Sequence, residues 1–266
     1  MRKEWFAGWF DSPYYHILYQ NHNEHDAQNF INALVEHLTP QYLANRQAGL
    51  KQNPEIAQHP NPQSQIRILD LACGKGRHSR YMASKGFDVT GTDLSTQSIE
   101  FARQFESDNL TFYQHDMRKS FRINYFDFIF NFFTSFGYFD KDEDNILALK
   151  KVHEGLKENG VFVLDYFNAE WVKSTLKTDY IQKAGGIDFH IKKRIEEGHA
   201  IKTIKFLASG VDYKFQEKVR LFSLKEFEDL FAASGLHIVE KFGDYALNPF
   251  DVNTSKRLII KALKGS

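Results

Sequence analysis

The sequence contains very little cysteine, and its formal charges cancel. A single cysteine among 266 residues excludes an intramolecular disulfide and is typical of a protein from a reducing compartment. With 34 basic and 34 acidic residues, the chain has no net charge that would favour binding to nucleic acid. No apolar run approaches the ~18 residues of a membrane-spanning helix, and residues 1–8 lack the apolar segment of a signal peptide. We therefore expect a cytoplasmic protein without a membrane or nucleic-acid partner.

Two catalytic signatures are also missing from the sequence. There is no H-x-x-x-H pair and no second cysteine beside Cys73, so we predict that the protein has no metal site. There is no G-x-S-x-G segment of the kind that carries an acyl-transfer nucleophile.

Aromatic residues, in contrast, are abundant, with 25 Phe and 12 Tyr. Most of them are expected in the core, because aromatic side chains fill large volumes. Residues 1–22 are unusually aromatic for a solvated terminus. Two interpretations stay open for this segment: it pads one face of a sheet, or it covers a binding site.

The most informative segment joins an apolar run to two glycines. Residues 66–71 predict a buried strand with Asp70 at its end, and Gly74 and Gly76 follow at once. Glycine has no Cβ, so a ligand can approach the backbone and the turn can adopt strained angles. Doubly wound sheets make room for a nucleotide in this way. The dinucleotide pattern G-x-G-x-x-G is incomplete, because Ser79 occupies the position of the third glycine.

Acidic residues follow the next two predicted strands. Residues 87–91 predict the second strand, and Asp93 comes about 17 residues after Gly76, near the ~20 expected of an acid that binds ribose hydroxyls. The third predicted strand, residues 110–115, ends directly before Asp116. Because the carboxyl ends of parallel strands share one edge of a sheet, this order is consistent with a nucleotide site.

The remaining pattern alternates between helices and strands and predicts an α/β fold. These elements are a fourth strand at 125–132, a helix at 140–156, a fifth strand at 160–167, a helix at 224–234 and two last strands at 236–242 and 256–263.

Other regions are predicted to lie outside this core. Residues 24–38 have the spacing of an amphipathic helix, and Pro40 begins a second helical piece at 41–50. Residues 53–64 carry three prolines and predict a surface linker. Residues 187–222 alternate apolar and polar residues in three stretches separated by tight turns, which predicts an antiparallel meander.

Together these motifs resemble class I S-adenosylmethionine-dependent methyltransferases that act on small molecules. The first motif of that family reads D/E-x-G/A-x-G-x-G, and the sequence matches it from Asp70 to Gly76, with Ala72 where many members have glycine. The resemblance implies a Rossmann-like seven-stranded sheet with an antiparallel last strand, and S-adenosylmethionine as the cofactor. The expected parts are an N-terminal lid at 1–52, a methyltransferase domain at 64–170 and 223–266, and an antiparallel insertion on the acceptor side at 171–222.

The resemblance also implies roles for individual residues. In the family, the acid after the second strand holds the ribose, which corresponds to Asp93. The acid after the third strand and its apolar neighbour contact the adenine, and the end of the fourth strand lies under the methionine part of the cofactor. The predicted cofactor-binding residues are Asp70, Ala72, Cys73, Gly74, Gly76, Asp93, Leu94, Asp116, Met117, Asn131, Phe132 and Tyr19.

The acceptor is expected to be a small molecule. The Asn-Pro-Pro-Tyr motif of adenine-methylating relatives is replaced by Asn-Phe-Phe-Thr at 131–134, which argues against methylation of DNA bases. A general base is needed only if the acceptor must lose a proton. The candidate catalytic residues are Tyr15, His16 and Tyr138, and a monomer and a homodimer both remain open.

Two other functions stay open from the sequence. A nicotinamide-dependent oxidoreductase would use a similar sheet, although Ser79 and the reversed final strand argue against it. A non-catalytic relative could bind the nucleotide in order to regulate a partner.

Overall fold

The computed structural model describes residues 5–19, 24–49 and 65–265, which form two sheets and the helices around them. The helices are α1 (Trp5–Phe10), α2 (Pro13–Leu18), α3 (Glu24–Gly49), α4 (Arg77–Ser84), α5 (Thr96–Ala102), α6 (Asp142–Gly155), α7 (Ala169–Thr175) and α8 (Leu224–Ser234). The strands are β1 (Arg67–Leu71), β2 (Asp88–Asp93), β3 (Leu110–Gln114), β4 (Phe126–Asn131), β5 (Leu156–Phe167), β6 (Asp179–Ala184), β7 (Ile187–Glu196), β8 (His199–Ala208), β9 (Val211–Arg220), β10 (Leu236–Phe242) and β11 (Arg257–Lys264). None of the described helices has both the length and the apolar character needed to cross a membrane.

The larger sheet has seven strands in the order β10-β11-β5-β4-β1-β2-β3. Neighbours from β5 to β3 are parallel, whereas β11 runs antiparallel to both β5 and β10. This confirms the predicted doubly wound α/β fold with a reversed last strand. The strand order reverses direction between β4 and β1, and the carboxyl edge at such a point is where open α/β sheets bind ligands.

Burial on both faces of the sheet explains why β4, at its centre, is mostly apolar. All six residues of β4 are buried, and the sequence of this strand is Phe-Asp-Phe-Ile-Phe-Asn. Helices cover both faces of such a sheet, so a polar residue within it needs a partner. Asp127 has several: it accepts hydrogen bonds from the Arg67 backbone N–H (2.7 Å), Lys157 Nζ (2.8 Å) and the Tyr42 hydroxyl.

The second sheet is the predicted antiparallel meander, with one strand more than expected. Its order is β6-β7-β8-β9, and the strands are joined by two-residue turns. Glu197 and Gly198 both have positive φ, as do Ser209 and Gly210, and such turns match the twist of a hairpin. The sequence analysis missed β6 and the short helix α7. Most residues of β6 are exposed or half-buried, so its hydrophobic pattern is weak.

The N-terminal helices belong to two different cores. In α1 and α2, Trp9 and Leu18 are each 1% exposed and pack with Phe189 and Ile204 on the second sheet. Helix α3 packs on the large sheet instead, through residues that include Phe30.

The prediction of two helices separated at Pro40 is wrong, because α3 is continuous across this residue. Leu38 and Tyr42 on either side of Pro40 are buried in the core of the large sheet, and this packing offsets the hydrogen bond that proline removes. The predicted linker at 53–64 lies outside the described residues, as do residues 1–4 and 20–23 of the N-terminal region.

Candidate active site

A turn with left-handed backbone angles follows β1. Ala72, Gly74 and Gly76 have φ values of 62°, 55° and 75°. A Cβ on Gly76 would lie 2.5 Å from the Phe112 ring, so this glycine is required for packing. A Cβ on Gly74 would have no atom within 4 Å, so the backbone at Gly74 borders open space. The two glycines therefore differ in function: Gly76 closes the turn against the sheet, and Gly74 leaves room in front of it.

Asp93, at the end of β2, holds this turn from the neighbouring strand. Its carboxylate accepts hydrogen bonds from the backbone N–H of Gly74 (2.8 Å) and of Ser95 (2.8 Å). Burial raises the pKa of Asp93, and the backbone donors oppose that shift. The backbone N–H groups of Gly74, Leu94 and Ser95 all donate to this carboxylate, and since a carboxylate has about four lone-pair sites it can still accept from a ligand.

A cavity of about 440 Å³ lies at this edge of the sheet, within the size range of small-molecule sites. Eight residues singled out from the sequence line it: Ala72, Gly74, Asp93, Leu94, Asp116, Met117, Tyr15 and Tyr138. Ser135, which lies at the end of the predicted fourth-strand motif, also lines the cavity, as do Phe6 and Phe10 of the aromatic N-terminal segment. Other lining residues were not predicted from the sequence, among them Asp11, Ser95, Gln114, His115 and Phe139. Gln114 and His115 lie at the carboxyl end of β3, and because the ends of parallel strands meet at one edge of the sheet, they could have been predicted from the sequence.

Four of the predicted residues lie directly behind the cavity wall. Asp70 is 1% exposed and accepts a hydrogen bond from Ser79 Oγ at 2.5 Å. Burial raises the pKa of Asp70 to about 6, against the effect of this hydrogen bond. Cys73 is buried too, and burial raises the pKa of its thiol. Gly76 is the N-cap of α4, and Phe132 packs against Phe30 with ring centroids 5.4 Å apart.

Asn131 lies at the end of β4, where the two halves of the sheet meet. Its side-chain Nδ2 donates to the carbonyl of Leu71 at 2.9 Å and so joins the ends of β4 and β1. Its Oδ1 is buried and has no hydrogen-bond partner among the described residues.

Asp116 is held by a neighbouring arginine. Arg118 donates from Nη2 to Oδ2 (2.7 Å) and from Nε to Oδ1 (3.0 Å), and its guanidinium lies 4.6 Å from the centroid of the Phe139 ring. Burial opposes ionisation of Asp116, but the hydrogen bonds from Arg118 outweigh it and hold the pKa below its usual value. The carboxylate is therefore fixed in place at the edge of the cavity.

The N-terminal segment (residues 5–19) contributes to the cavity wall and also packs on the second sheet. Phe6, Phe10, Asp11 and Tyr15 contribute to the cavity wall. The Asp11 carboxylate accepts hydrogen bonds from Ser95 Oγ (2.9 Å) and from the backbone N–H at the start of α5 (3.0 Å). Residues 5–19 therefore contribute both to the cavity wall and to the core of the second sheet, and a role as a lid remains a prediction.

The two candidate tyrosines face the cavity, and both are protonated near neutral pH. Burial raises the pKa of Tyr15 and of Tyr138, and the charges of Glu217 and Asp93 add to the effect. The Tyr138 hydroxyl donates to the carbonyl of Thr134 at 2.6 Å. Neither tyrosine can act as a general base in this environment, although both can form hydrogen bonds.

His16 and Tyr19 do not line the cavity. Burial, together with the charge of Lys75, lowers the pKa of His16 to about 4, so its ring is neutral at physiological pH. Its Nε2 is buried without a hydrogen-bond partner in the described part of the chain. Tyr19 is directed toward the second sheet, where its hydroxyl donates to Glu217 Oε1 at 2.5 Å beside the Trp9 indole, which donates to the same oxygen.

Comparison with known proteins identifies the class of this site. Residues 68–160, which contain the glycine turn, match a family model described as a methyltransferase domain. A putative methyltransferase of Bacillus subtilis (strain 168), YqeM, is 29% identical over 208 residues, or 74% of this chain and 84% of the relative. The chain is a class I S-adenosylmethionine-dependent methyltransferase.

Two further proteins are similar to this methyltransferase. A dTDP-3-amino-3,4,6-trideoxy-alpha-D-glucopyranose N,N-dimethyltransferase of Streptomyces venezuelae is 28% identical over 180 residues, 64% of this chain and 75% of that one. The solved structure of an S-adenosylmethionine-dependent methyltransferase from Clostridium acetobutylicum ATCC 824 has a TM-score of 0.73 and 19% identity, and 98% of each chain is covered. The relatives named here do not favour the oxidoreductase or the non-catalytic alternative.

The cavity of the methyltransferase fits its cofactor, S-adenosylmethionine. The open space in front of Gly74 allows close approach to the backbone, and Asp93 has lone pairs for donors. The aromatic residues Tyr15, Tyr138 and Phe139 line the same space, and aromatic faces attract cations such as a sulfonium.

Proposed function

We propose that this methyltransferase transfers a methyl group to an amine nitrogen of a small molecule. The observation that carries the proposal is the charge of the cavity wall. Asp11, Asp93 and Asp116 line the cavity, and its lining residues in the described chain include no lysine or arginine. A wall with this charge disfavours an anionic group at the acceptor position and is compatible both with the cationic sulfonium and with an amine acceptor.

The proposed cofactor contacts follow from the position of each residue. Asp93 accepts from the ribose hydroxyls, and the Gly74 backbone borders the cofactor. Asp116 and Met117 lie at the adenine end. When bound, S-adenosylmethionine supplies a methyl group on a sulfonium that is itself the leaving group.

The buried predicted residues have supporting roles in this proposal. Asp70, Cys73, Gly76 and Phe132 shape the wall from behind, and Asn131 joins the ends of β1 and β4. Tyr19 connects the N-terminal segment to the second sheet instead of contacting the cofactor.

We place the acceptor between the N-terminal segment and the turn that follows β4. Tyr15 and Tyr138 both line the cavity there, and the insertion at 171–222 packs against the N-terminal segment from outside. Aligning the acceptor with the methyl group and excluding water can account for several kcal/mol of the barrier, up to ~7–11 in the best cases. The cover formed by residues 5–19 is suited to both tasks.

The protonation state of the tyrosines supports nitrogen as the nucleophile. A hydroxyl is a weak nucleophile and needs a base, whereas a neutral amine already has a free lone pair. Tyr15 and Tyr138 are held protonated, so they suit an acceptor that needs orientation and no base. The similarity to the Streptomyces venezuelae sugar N,N-dimethyltransferase is a further argument for an amine.

The decisive experiment identifies the methylated atom. Purified full-length protein is incubated with isotope-labelled S-adenosylmethionine and a metabolite extract, and labelled products are located by tandem mass spectrometry. We expect the label on an amine nitrogen. Label found on oxygen, carbon or nucleic acid would overturn the proposal.

Pairs of acceptors that differ only in an amino or a hydroxyl group test the nucleophilic atom directly. A dTDP-linked 3-amino-3,6-dideoxyhexose is compared with its 3-hydroxy counterpart, and glucosamine is compared with glucose. Transfer to an amino compound without transfer to its hydroxyl partner is the expected result. The variants Tyr15→Phe and Tyr138→Phe should lower turnover, whereas Tyr113→Phe, which changes an exposed tyrosine on β3, should not.

A further inference from the structure

The turn that follows β4 has an unusual backbone. Phe133 and Thr134 have φ values of 57° and 61°, so two consecutive residues other than glycine adopt the left-handed region. L-residues avoid this region, and a β-branched residue such as threonine avoids it most strongly. Such angles persist only where the surrounding structure imposes them, and they are concentrated at functional sites.

Asp165, near the end of β5, imposes them through two hydrogen bonds. Its Oδ2 accepts from the backbone N–H of Phe133 at 2.8 Å, and its carbonyl accepts from the N–H of Thr134 at 3.0 Å. The side chain of Asp165 is 0% exposed. Both strained residues are therefore bound by one buried residue of the neighbouring strand.

Arg257, the first residue of β11, secures the same turn from the other side. Its Nε donates to Asp165 Oδ1 at 2.8 Å, and its Nη2 donates to Thr134 Oγ1 at 3.1 Å. Strand β11 pairs with β5 in the register that places Ile259 opposite Asp165. The antiparallel strand β11 thus supplies Arg257, which neutralises the buried carboxylate of Asp165. Its planar guanidinium also joins that carboxylate to Thr134 in the turn.

The strained turn is connected directly to the cavity wall. The carbonyl of Thr134 accepts the hydrogen bond of the Tyr138 hydroxyl at 2.6 Å, and Ser135 and Tyr138 both line the cavity. A change of φ at Thr134 would rotate this carbonyl and move the Tyr138 hydroxyl with it.

We propose that Asp165 and Arg257 are positioning residues for methyl transfer. They hold Phe133 and Thr134 in the left-handed region, and this conformation sets the place of Ser135 and Tyr138 beside the reacting groups. The inference rests on the proposed function of this wall as the acceptor side. It does not depend on whether the acceptor atom is nitrogen.

A matched control exists at the opposite end of the sheet. Asp165 also accepts a hydrogen bond from the Tyr245 hydroxyl at 3.3 Å. Like Asp165, Asp127 is fully buried and accepts from a backbone N–H, from a cation (Lys157) and from a tyrosine hydroxyl. It lies on β4 near the amino edge, away from the cavity. The substitution Asp127→Asn therefore reports the cost of disturbing a buried ion pair without disturbing the turn.

The experiment compares Asp165→Asn with Asp127→Asn in the full chain. We expect Asp165→Asn to lower kcat about 10–100-fold, the scale of loss from misplaced catalytic groups, with little change in affinity for S-adenosylhomocysteine. Amide hydrogen exchange at 132–138, measured with S-adenosylhomocysteine bound, should accelerate in Asp165→Asn and stay at the parental rate in Asp127→Asn. Equal kcat in the two variants, or unchanged exchange in the turn, would overturn the proposal.

A rescue variant separates positioning from general destabilisation. Glycine adopts positive φ without the penalty of threonine, so Thr134→Gly added to Asp165→Asn should recover part of the lost kcat. Arg257→Lys provides an independent test, because lysine keeps the charge but cannot bridge Asp165 and Thr134. A folded Arg257→Lys protein with parental kcat would refute the positioning role. If methyl transfer proves to occur at oxygen, the amine proposal fails, and the same comparison with that acceptor still tests the turn.

Discussion

The carboxylate of Asp93 accepts a hydrogen bond from the backbone N–H of Gly74 at 2.8 Å. The tip of the second strand thereby fixes the turn that follows the first, although 19 residues separate the two along the chain. The proposed ribose acid and the glycine that borders the cofactor are thus parts of one hydrogen-bonded unit, and a change in either is expected to affect binding.

Replacing Asp93 by alanine is expected to remove most of the cofactor affinity. The variant loses the proposed ribose contacts and the acceptor for the Gly74 N–H, and loss of a charged hydrogen-bond partner costs ~1.5–3 kcal/mol. Isothermal titration with S-adenosylhomocysteine measures the loss. Asp88→Ala on the same strand, at a side chain that is 43% exposed, serves as the control. Parental affinity in Asp93→Ala would refute the assignment of the ribose acid.

The two glycines of the turn are expected to respond differently to alanine. Gly76→Ala places a Cβ 2.5 Å from the Phe112 ring at a positive φ, and we expect a stability loss of at least ~1–2 kcal/mol. In Gly74→Ala the new methyl group enters open space, so backbone strain remains and the main effect should be on cofactor binding. Urea unfolding and titration with S-adenosylhomocysteine measure the two effects separately. A Gly74→Ala protein with normal affinity would contradict the proposed approach of the cofactor at this residue.

Asp70 is expected to raise the free energy of unfolding as the pH falls, whereas most carboxylates in folded proteins lower it. Burial raises its pKa from 3.8 to about 6, so between these values the folded state binds a proton that the unfolded state does not. The resulting stabilisation is fully present below pH 3.8 and is lost as the pH rises through about 6. A shift of this size corresponds to about 3 kcal/mol.

Asp70→Asn lacks this titration and provides the reference. The free energy of unfolding of the parent protein minus that of the variant should increase as the pH is lowered from 7.5 to 4.5. A difference that is independent of pH would show that Asp70 titrates normally.

Asp11 is expected to hold the N-terminal segment over the cavity. Asp11→Ala removes the hydrogen bonds to Ser95 and to the start of α5, at a cost of about 1 kcal/mol each. Because Trp9 and Leu18 remain buried in the core of the second sheet, we expect this loss to weaken the attachment of the segment to α5 without unfolding the chain. Stopped-flow measurements should show faster release of S-adenosylhomocysteine, and the control Asp179→Ala, at an exposed ion pair, should release it at the parental rate. Unchanged release in Asp11→Ala would contradict this role.

The fold could be predicted from the sequence because its core elements carry strong local signals. The apolar run before Gly74 and the helical spacing after residue 140 each predict one element, and the order of elements then predicts the sheet. Strand β6 lacked such a signal because only Ala184 in it is buried. The break at Pro40 was predicted wrongly because packing of α3 on the large sheet outweighs the local preference of proline.

The site was predictable mainly where it follows strand ends, although Tyr15 of the N-terminal segment was also singled out from the sequence and lines the cavity. Asp93 and Asp116 line the cavity as that rule requires. Asp165 and Arg257 could not be found, because 92 residues separate them and the angles that they impose on Thr134 oppose its intrinsic preference. Asp11 could not be found either, because its hydrogen bonds to Ser95 and to the start of α5 join segments that are distant in the sequence.

The shared core of α1, α2 and the second sheet has a consequence for redesign. Trp9 and Leu18 fill the same apolar layer as Phe189 and Ile204, so a graft of either piece alone would leave unmatched surfaces. Laboratory evolution toward a new acceptor should therefore exchange residues 5–19 and the meander together. Asp11, which binds the segment to α5, and Glu217, which binds it to the meander, should be kept.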